Sequence, residues 1–364
     1  MYDVVVIGGG VVGLSIAWRT AERGLAVAVV DPGPGSGASH AAAGMLAPIS
    51  EVAYTEEPSL RLGRESLALW PAFAADLSAA AAVDLDLRAD GTLAVAYDSD
   101  DLAVLTDLAA FEESLGIAVE RLTGRECRRL EPMLAPVVRG GLLARDDLWV
   151  NPRRVVRALL TALARAGVAM VPGRASGLVD GGVRLTRGEV VPARQTVVAT
   201  GAWTAELGLG LPIRPVKGQI MRLRGPAGLL TRCVRGLVRG TSVYLVPRAD
   251  GEITVGATQE ELGFDTRVTA GGMWELLRDA RELVPGITEL EIVEFQAGLR
   301  PGTPDNLPVI GRIRPDVVAA TGHHRGGILL APLTADGVVA MLTGEQPSQI
   351  LKECDPGRFD GGNH

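Results

Sequence analysis

At 364 residues, of which 47% are hydrophobic, the chain exceeds what one core usually supports and can fill two, so about two domains are expected. Its net charge of -7 comes without a basic run or basic residues interleaved with aromatics, which argues against nucleic acid and anionic membranes as partners; no stretch approaches the ~20 apolar residues that span a bilayer. Cys127, Cys233 and Cys354 are widely spaced and have no histidines at ligand spacing, so free thiols are expected rather than a disulfide framework or a metal site.

The first hydrophobic run, Val4, Val5, Val6 and Ile7, follows directly on Met1-Tyr2-Asp3. No basic segment or cleavage site of an export signal intervenes, so a cytoplasmic location is expected. A glycine turn (Gly8, Gly10, Gly13), a helical pattern, a second hydrophobic run and then Asp31 come next. Gly8 allows a sharp turn, Gly10 lets backbone approach a pyrophosphate, and Gly13 lets the helix pack closely on the strand. Asp31, at the tip of the second strand, is placed to accept from a ribose 2'-hydroxyl. Strand, turn, helix and acid in this order predict a dinucleotide site.

A Pro/Gly/Ser loop leads to His40-Ala41-Ala42-Ala43-Gly44-Met45-Leu46, small residues that either admit a flat ligand against backbone or begin an alanine-rich helix. Residues 56–82 read as one or two helices with a break at Trp70-Pro71. Alternation around Asp90-Gly91 within 84–96 is a hairpin signal. Residues 98–115 read as a helix capped by Asp98 or Ser99 and ended by Gly116, residues 142–150 as strand, and Asn151-Pro152 as the start of a helix to about 166.

Short strands separated by glycines fill 168–199, and the last, from Thr196 to Val198, reads as a buried parallel strand whose tip at Thr200-Gly201 lies near a ligand. Alternating β-formers at 213–223 and 234–257 predict a mainly antiparallel sheet. A helix over 272–283 stops at Pro285-Gly286, and a strand over 291–299 is followed by a rigid turn at 300–305. After a buried strand at 317–321, glycines lead to a closing helix from about 334 to 342, and the tail from Gln346 reads as peripheral.

Together the glycine loop through Asp31, Ala41 to Leu46, Pro215-Val216-Lys217-Gly218, Tyr244 to Arg248, Val255-Gly256-Ala257-Thr258, Ala297 to Thr303 and Gly322 to Pro332 span nearly the whole chain. The sequence resembles the flavin-dependent amine oxidases of the D-amino-acid oxidase superfamily, and within it the glycine oxidases linked to thiamine synthesis. The resemblance implies an α/β plus α+β architecture: a Rossmann-like FAD-binding domain from 1–85, 140–210 and 300–364, interleaved with a mainly antiparallel substrate-binding domain from 86–139 and 211–299. It implies FAD contacted by Gly8, Gly10, Val11, Val12, Gly13, Asp31, Ser39, Ala43, Gly44, Met45, Ala175, Gly201 and the run His323, His324, Arg325, Gly326, Gly327, Ile328 and Leu329. Because that run holds no cysteine and Cys127, Cys233 and Cys354 lie in other segments, noncovalent FAD is expected, with attachment through a histidine as the remaining alternative.

The same resemblance gives Arg300 the substrate carboxylate, with Tyr244 and Arg325 assisting and Met45 beside them. Gln259, where glycine oxidases can carry a methionine, and His324 stand where the amine or side chain is sensed. The implied reaction moves the Cα hydrogen as hydride to the flavin, with dioxygen as electron acceptor and an imine, then keto acid, and hydrogen peroxide as products. Arg300 suits the clamp because a guanidinium fork fixes a carboxylate bidentately. Backbone N–H groups from Gly326 to Leu329 suit the negative charge arriving on the flavin. Sarcosine, proline and D-amino-acid oxidases or dehydrogenases stay open as alternatives, as do a noncatalytic flavoprotein and a homo-oligomer.

Overall fold

The computed structural model describes residues 1–359; residues 360–364, the end of the segment expected in the FAD domain, lie outside the described residues. The first hydrophobic run forms the strand Tyr2–Ile7, held in parallel between Val27–Asp31 and Val190–Val198. Ala169–Pro172 extends this sheet on one side; Val317–Thr321 (parallel) and Val309–Arg314 (antiparallel) extend it on the other. Alternation splits the central strand between two cores: Val4 and Val6 face helices Val11–Glu22, Pro152–Arg165 and Ala331–Thr343, while Val5 and Ile7 pack with Val183, Leu185 and Val191.

Among the described residues the second sheet has eight strands in the order Glu291–Gly302, Arg214–Arg224, Glu252–Gly256, Thr241–Pro247, Cys233–Val238, Thr92–Ala96, Gly140–Ala144, Glu120–Thr123. Every pairing in it is antiparallel except that of Cys233–Val238 with Thr92–Ala96. Helix Ala270–Leu283 covers one face through Leu276, Ala280 and Leu283. Between the sheets runs the segment carrying the two-residue strand Met45–Leu46, paired with Leu148–Trp149. Among the described residues, no helix is long and apolar enough to cross a membrane.

Several expectations are corrected. Pro71 does not break its helix, which runs without interruption from Glu57 to Ala81. Fully buried Trp70 stacks edge-on against Phe73 and donates its indole N–H to the Leu329 carbonyl at 2.9 Å, and this packing outweighs the hydrogen bond that proline removes. Asp90-Gly91 makes no hairpin: Arg88 bridges to Trp149, whereas Thr92–Ala96 pairs with Gly140–Ala144 and Cys233–Val238.

Gly140–Ala144 therefore belongs to the second sheet and not to the first, so the segment expected over 140–210 divides near Leu148. The strand from Glu291 continues through Arg300 to Gly302, because Val216, Pro215 and Arg214 extend its partner alongside; residues 300–302 are strand, not turn. The closing helix begins at Ala331, with proline in its first turn. The tail is not peripheral over 349–354: Leu351 enters a space left by Gly337, where a Cβ would lie 2.1 Å from its Cδ1, and Cys354 is fully buried.

Candidate active site

The strand ends of the first sheet open into a cavity of about 560 Å³ whose opposite wall is the second sheet. Gly8 has φ +112°, and a Cβ there would lie 2.2 Å from the Ala199 carbonyl oxygen; at Gly13 a Cβ would lie 2.0 Å from the Gly8 carbonyl oxygen. Chain packing thus demands both, one for the turn and one for the helix against the strand. Gly10 differs, since a Cβ would meet nothing nearer than Ser39 Oγ at 3.5 Å; its bareness keeps cavity space open. The Asp31 carboxylate accepts from the N–H of Gly9 at 2.6 Å and of Gly33 at 2.7 Å, tying turn to loop while bordering the cavity. Ser39 Oγ accepts the Val11 N–H at 3.0 Å.

At the other side Arg300 lies across Gly218, where a Cβ would come within 2.4 Å of both Nη atoms. Its Nη1 makes only long contacts, 3.3 Å to the Thr258 carbonyl and 3.4 Å to that of Lys217. Tyr244 lies likewise over Gly256, whose Cβ would stand 2.4 Å from the phenol oxygen. Burial raises the Tyr244 pKa, with the Arg300 charge opposing, so the phenol is a neutral donor. Met45 borders the cavity from the inter-sheet segment and Gln259 from an exposed loop position.

Four arginines border the cavity, and three are compensated: Arg174 by Glu206 at 2.9 Å, Arg235 by Glu51 at 2.7 Å, and Arg325 by Glu56. Among the described residues, Arg300 has no carboxylate within 4.0 Å. His323 is buried, and its Nε2 lies 3.0 Å from Thr334 Oγ1; burial brings its pKa down to about 4. His324, with φ +46°, is also lowered to about 4, by burial first and then by Arg325, Arg300 and Arg214. Both rings are neutral at pH 7, so the free positive charge here is that of Arg300.

Of the residues expected here, all border the cavity except Gly13, Gly326 and Leu329. Gly13 serves the helix–strand contact instead. Gly326 has its N–H committed to the His323 carbonyl at 2.8 Å, so it is not the expected donor to arriving charge. Leu329 faces the helix Glu57–Ala81, its carbonyl accepting from Ser66 Oγ at 2.6 Å and Trp70 Nε1 at 2.9 Å. Arg325 borders the cavity, but its charge is already met by Glu56, which weakens the case for it as a carboxylate partner.

Sequence reasoning missed Glu51, Arg235 and Arg248. Fully internal Arg248 donates to the carbonyls of Val150 at 2.9 Å and Ala43, fixing the backbone that lines the cavity. It lay inside a segment of the family resemblance without a role, and Arg235 and Glu51 carried no local signal.

The model of the FAD dependent oxidoreductase family matches residues 3–341. The chain belongs to this family. It is 37% identical over 347 residues to the glycine oxidase of Geobacillus kaustophilus (strain HTA426), a match covering 92% of this chain and 90% of that protein. It is 34% identical over 373 residues to the bifunctional protein ThiO/ThiG of Trichormus variabilis, covering 98% of this chain but 55% of the relative, so it spans about half of that protein's length. The crystal structure of glycine oxidase from Geobacillus kaustophilus superposes with a TM-score of 0.91 at 34% identity, covering 98% of this chain and 99% of that one.

As an FAD-dependent oxidoreductase the chain uses FAD, and its residues fit that cofactor. The glycine-lined cradle around Gly8, Gly10 and Asp31 leaves room for a dinucleotide at strand ends and a helix N-terminus. The segment from Ala41 to Met45 offers the flat, small-residue wall that an isoalloxazine ring needs.

Proposed function

We propose that the chain oxidises glycine or another small amino acid at Cα, with Arg300 holding the substrate carboxylate. One observation carries the reading: of the four cavity-lining arginines, Arg300 is the one without a carboxylate partner among the described residues. A part-buried, uncompensated guanidinium is costly unless a ligand anion completes it. Its planar fork would grip both carboxylate oxygens, and with Tyr244 donating from Thr241–Pro247, farther along the same sheet, the substrate would be held at a fixed angle. FAD, when bound, supplies the two-electron acceptor for the Cα hydride. With the amine nitrogen losing a proton, the substrate leaves as an imine that water hydrolyses.

The neutral rings of His323 and His324 leave the carboxylate no competing cation beside Arg300. Dioxygen as final acceptor, giving hydrogen peroxide, is part of the proposal. So is service to thiamine thiazole synthesis, supported by the likeness to the ThiO/ThiG protein. A peroxide-release screen over glycine, sarcosine, proline and D-amino acids tests it: glycine or another small amino acid should yield peroxide. Release from none of them would sink the oxidase reading.

A further inference from the structure

Strand register lays one row of residues across the floor of the chamber: Ile220 pairs with Gly256, Gly256 with Tyr244, and Tyr244 with Arg235. Directly paired residues project to the same face, so Arg235 stands beside Tyr244 on the cavity side. Its side chain is 19% exposed and donates to Glu51 Oε1 at 2.7 Å. Glu51 borders the same cavity, on a segment fastened by buried Asp147, which accepts from the N–H of Ile49 at 3.2 Å and of Ser50 at 3.1 Å. A charge pair with four-fifths of each side chain withdrawn from water carries a desolvation cost, and Cα oxidation of glycine makes no use of it.

Charge counting gives the pair a task. With Arg174, Arg235 and Arg325 each compensated, the chamber offers, among the described residues, a single open positive charge at Arg300, enough for one carboxylate. A second carboxylate, carried on the substrate nitrogen or on Cα, would meet Arg235 only after displacing the Glu51 carboxylate, which also repels it. Rejection by a built-in like charge is a recognised route to specificity.

We propose that Glu51 restricts the enzyme to amino acids with one carboxylate by masking Arg235, and that Arg235, once unmasked, is a second carboxylate site. This rests on Arg300 being the clamp for the first. Iminodiacetate and sarcosine are suitable probes, since both are secondary amines and iminodiacetate carries the additional carboxylate.

The test uses the flavin-loaded enzyme and the ratio of kcat/KM for iminodiacetate to that for sarcosine. Glu51→Gln keeps the shape and an acceptor for Arg235 but removes the charge, and should raise the ratio at least about fivefold. Adding Arg235→Gln should abolish the gain. A smaller rise in Glu51→Gln, or a gain that survives Arg235→Gln, overturns the proposal. Should Glu51→Gln not fold, wild-type enzyme decides: spectral titration at constant ionic strength should show acetate binding more tightly than malonate, and malonate binding equally well or better overturns it. If wild-type enzyme oxidises no amino acid, the Arg300 reading itself has failed; if it oxidises sarcosine and the ratio stays put, only this inference has.

Discussion

Gly218 matters through what it leaves out. A methyl group there would come within 2.4 Å of both Arg300 Nη atoms, and the backbone is held on one side by pairing with Gly298 and on the other by the bonds of Lys217 with Glu260 and of Gln219 with Thr258, so the guanidinium must move. Gly218→Ala should therefore lower kcat/KM for glycine by about tenfold or more while FAD stays bound, because misplacing a positioning group by an ångström costs that much. Steady-state kinetics beside the flavin absorbance checks it; unchanged kinetics would mean that Arg300 is not held over Gly218. His323 gives a second prediction at this scale. Its pKa falls from 6.5 unfolded to about 4 folded, so the unfolded state binds more protons between these values and stability is lost as pH falls from 6.5 towards 4. Glu112 and Asp147, raised by burial to about 7 and about 6, act in the opposite direction over much of the same window, so the test must be differential. Relative to His323→Gln, the wild type should lose up to about 3 kcal/mol on going from pH 7 to pH 4 in denaturant melts. A pH-independent difference would contradict the buried neutral ring.

At the scale of elements, the turn from Tyr2–Ile7 into Val11–Glu22 is where sequence and structure agree most closely, because its glycines answer to backbone contacts that spacing alone encodes. Asp31 was equally legible in position, yet its bonds to the Gly9 and Gly33 N–H groups show it also bracing the turn. Asp31→Ala should weaken FAD retention, visible as a lower flavin-to-protein absorbance ratio, and show near-normal turnover at saturating FAD, since its expected contact is with the ribose, away from the reacting ring. Turnover that stays low at saturating FAD would show that the brace reaches the chemistry. Elements whose fate depends on distant partners were less legible. Proline at 71 reads as a break until Trp70 finds the Leu329 carbonyl, and Asp90-Gly91 reads as a hairpin until Thr92–Ala96 finds its partner at Gly140–Ala144. The end of the Glu291–Gly302 strand was hidden by Pro301 and Pro304, which resemble turn residues locally although Pro215 and Arg214 continue the ladder beside them.

Across the whole molecule, the site exists because two sheets are sewn together through one segment. Fully buried Arg222 donates to Glu252 at 2.9 Å and Thr254 at 3.0 Å on its own sheet, and to the His40 carbonyl at 3.1 Å between the sheets. Arg153 reaches from the first domain's helix to Glu294 at 2.6 Å and Gln296 at 3.0 Å. Charge partners so far apart in sequence have no local signature, which is why Glu51 and Arg235 also went unread. Among the described residues no cysteine borders the assembled cavity and the His323 ring is engaged by Thr334, which leaves His324 as the histidine on its wall, and noncovalent FAD is expected. Acid precipitation should accordingly release all yellow colour to the supernatant, and colour kept in the pellet would contradict noncovalent binding. The central claim, that Arg300 clamps the substrate carboxylate, is tested most directly by mixing FAD-loaded Arg300→Ala with glycine under anaerobic conditions and following the flavin absorbance. Leaving one member of a buried charge pair alone costs roughly 2–5 kcal/mol, so the second-order rate of bleaching should fall about thirty-fold to several-thousand-fold, with Arg300→Lys recovering part of it. Bleaching within about threefold of the wild type would contradict the clamp.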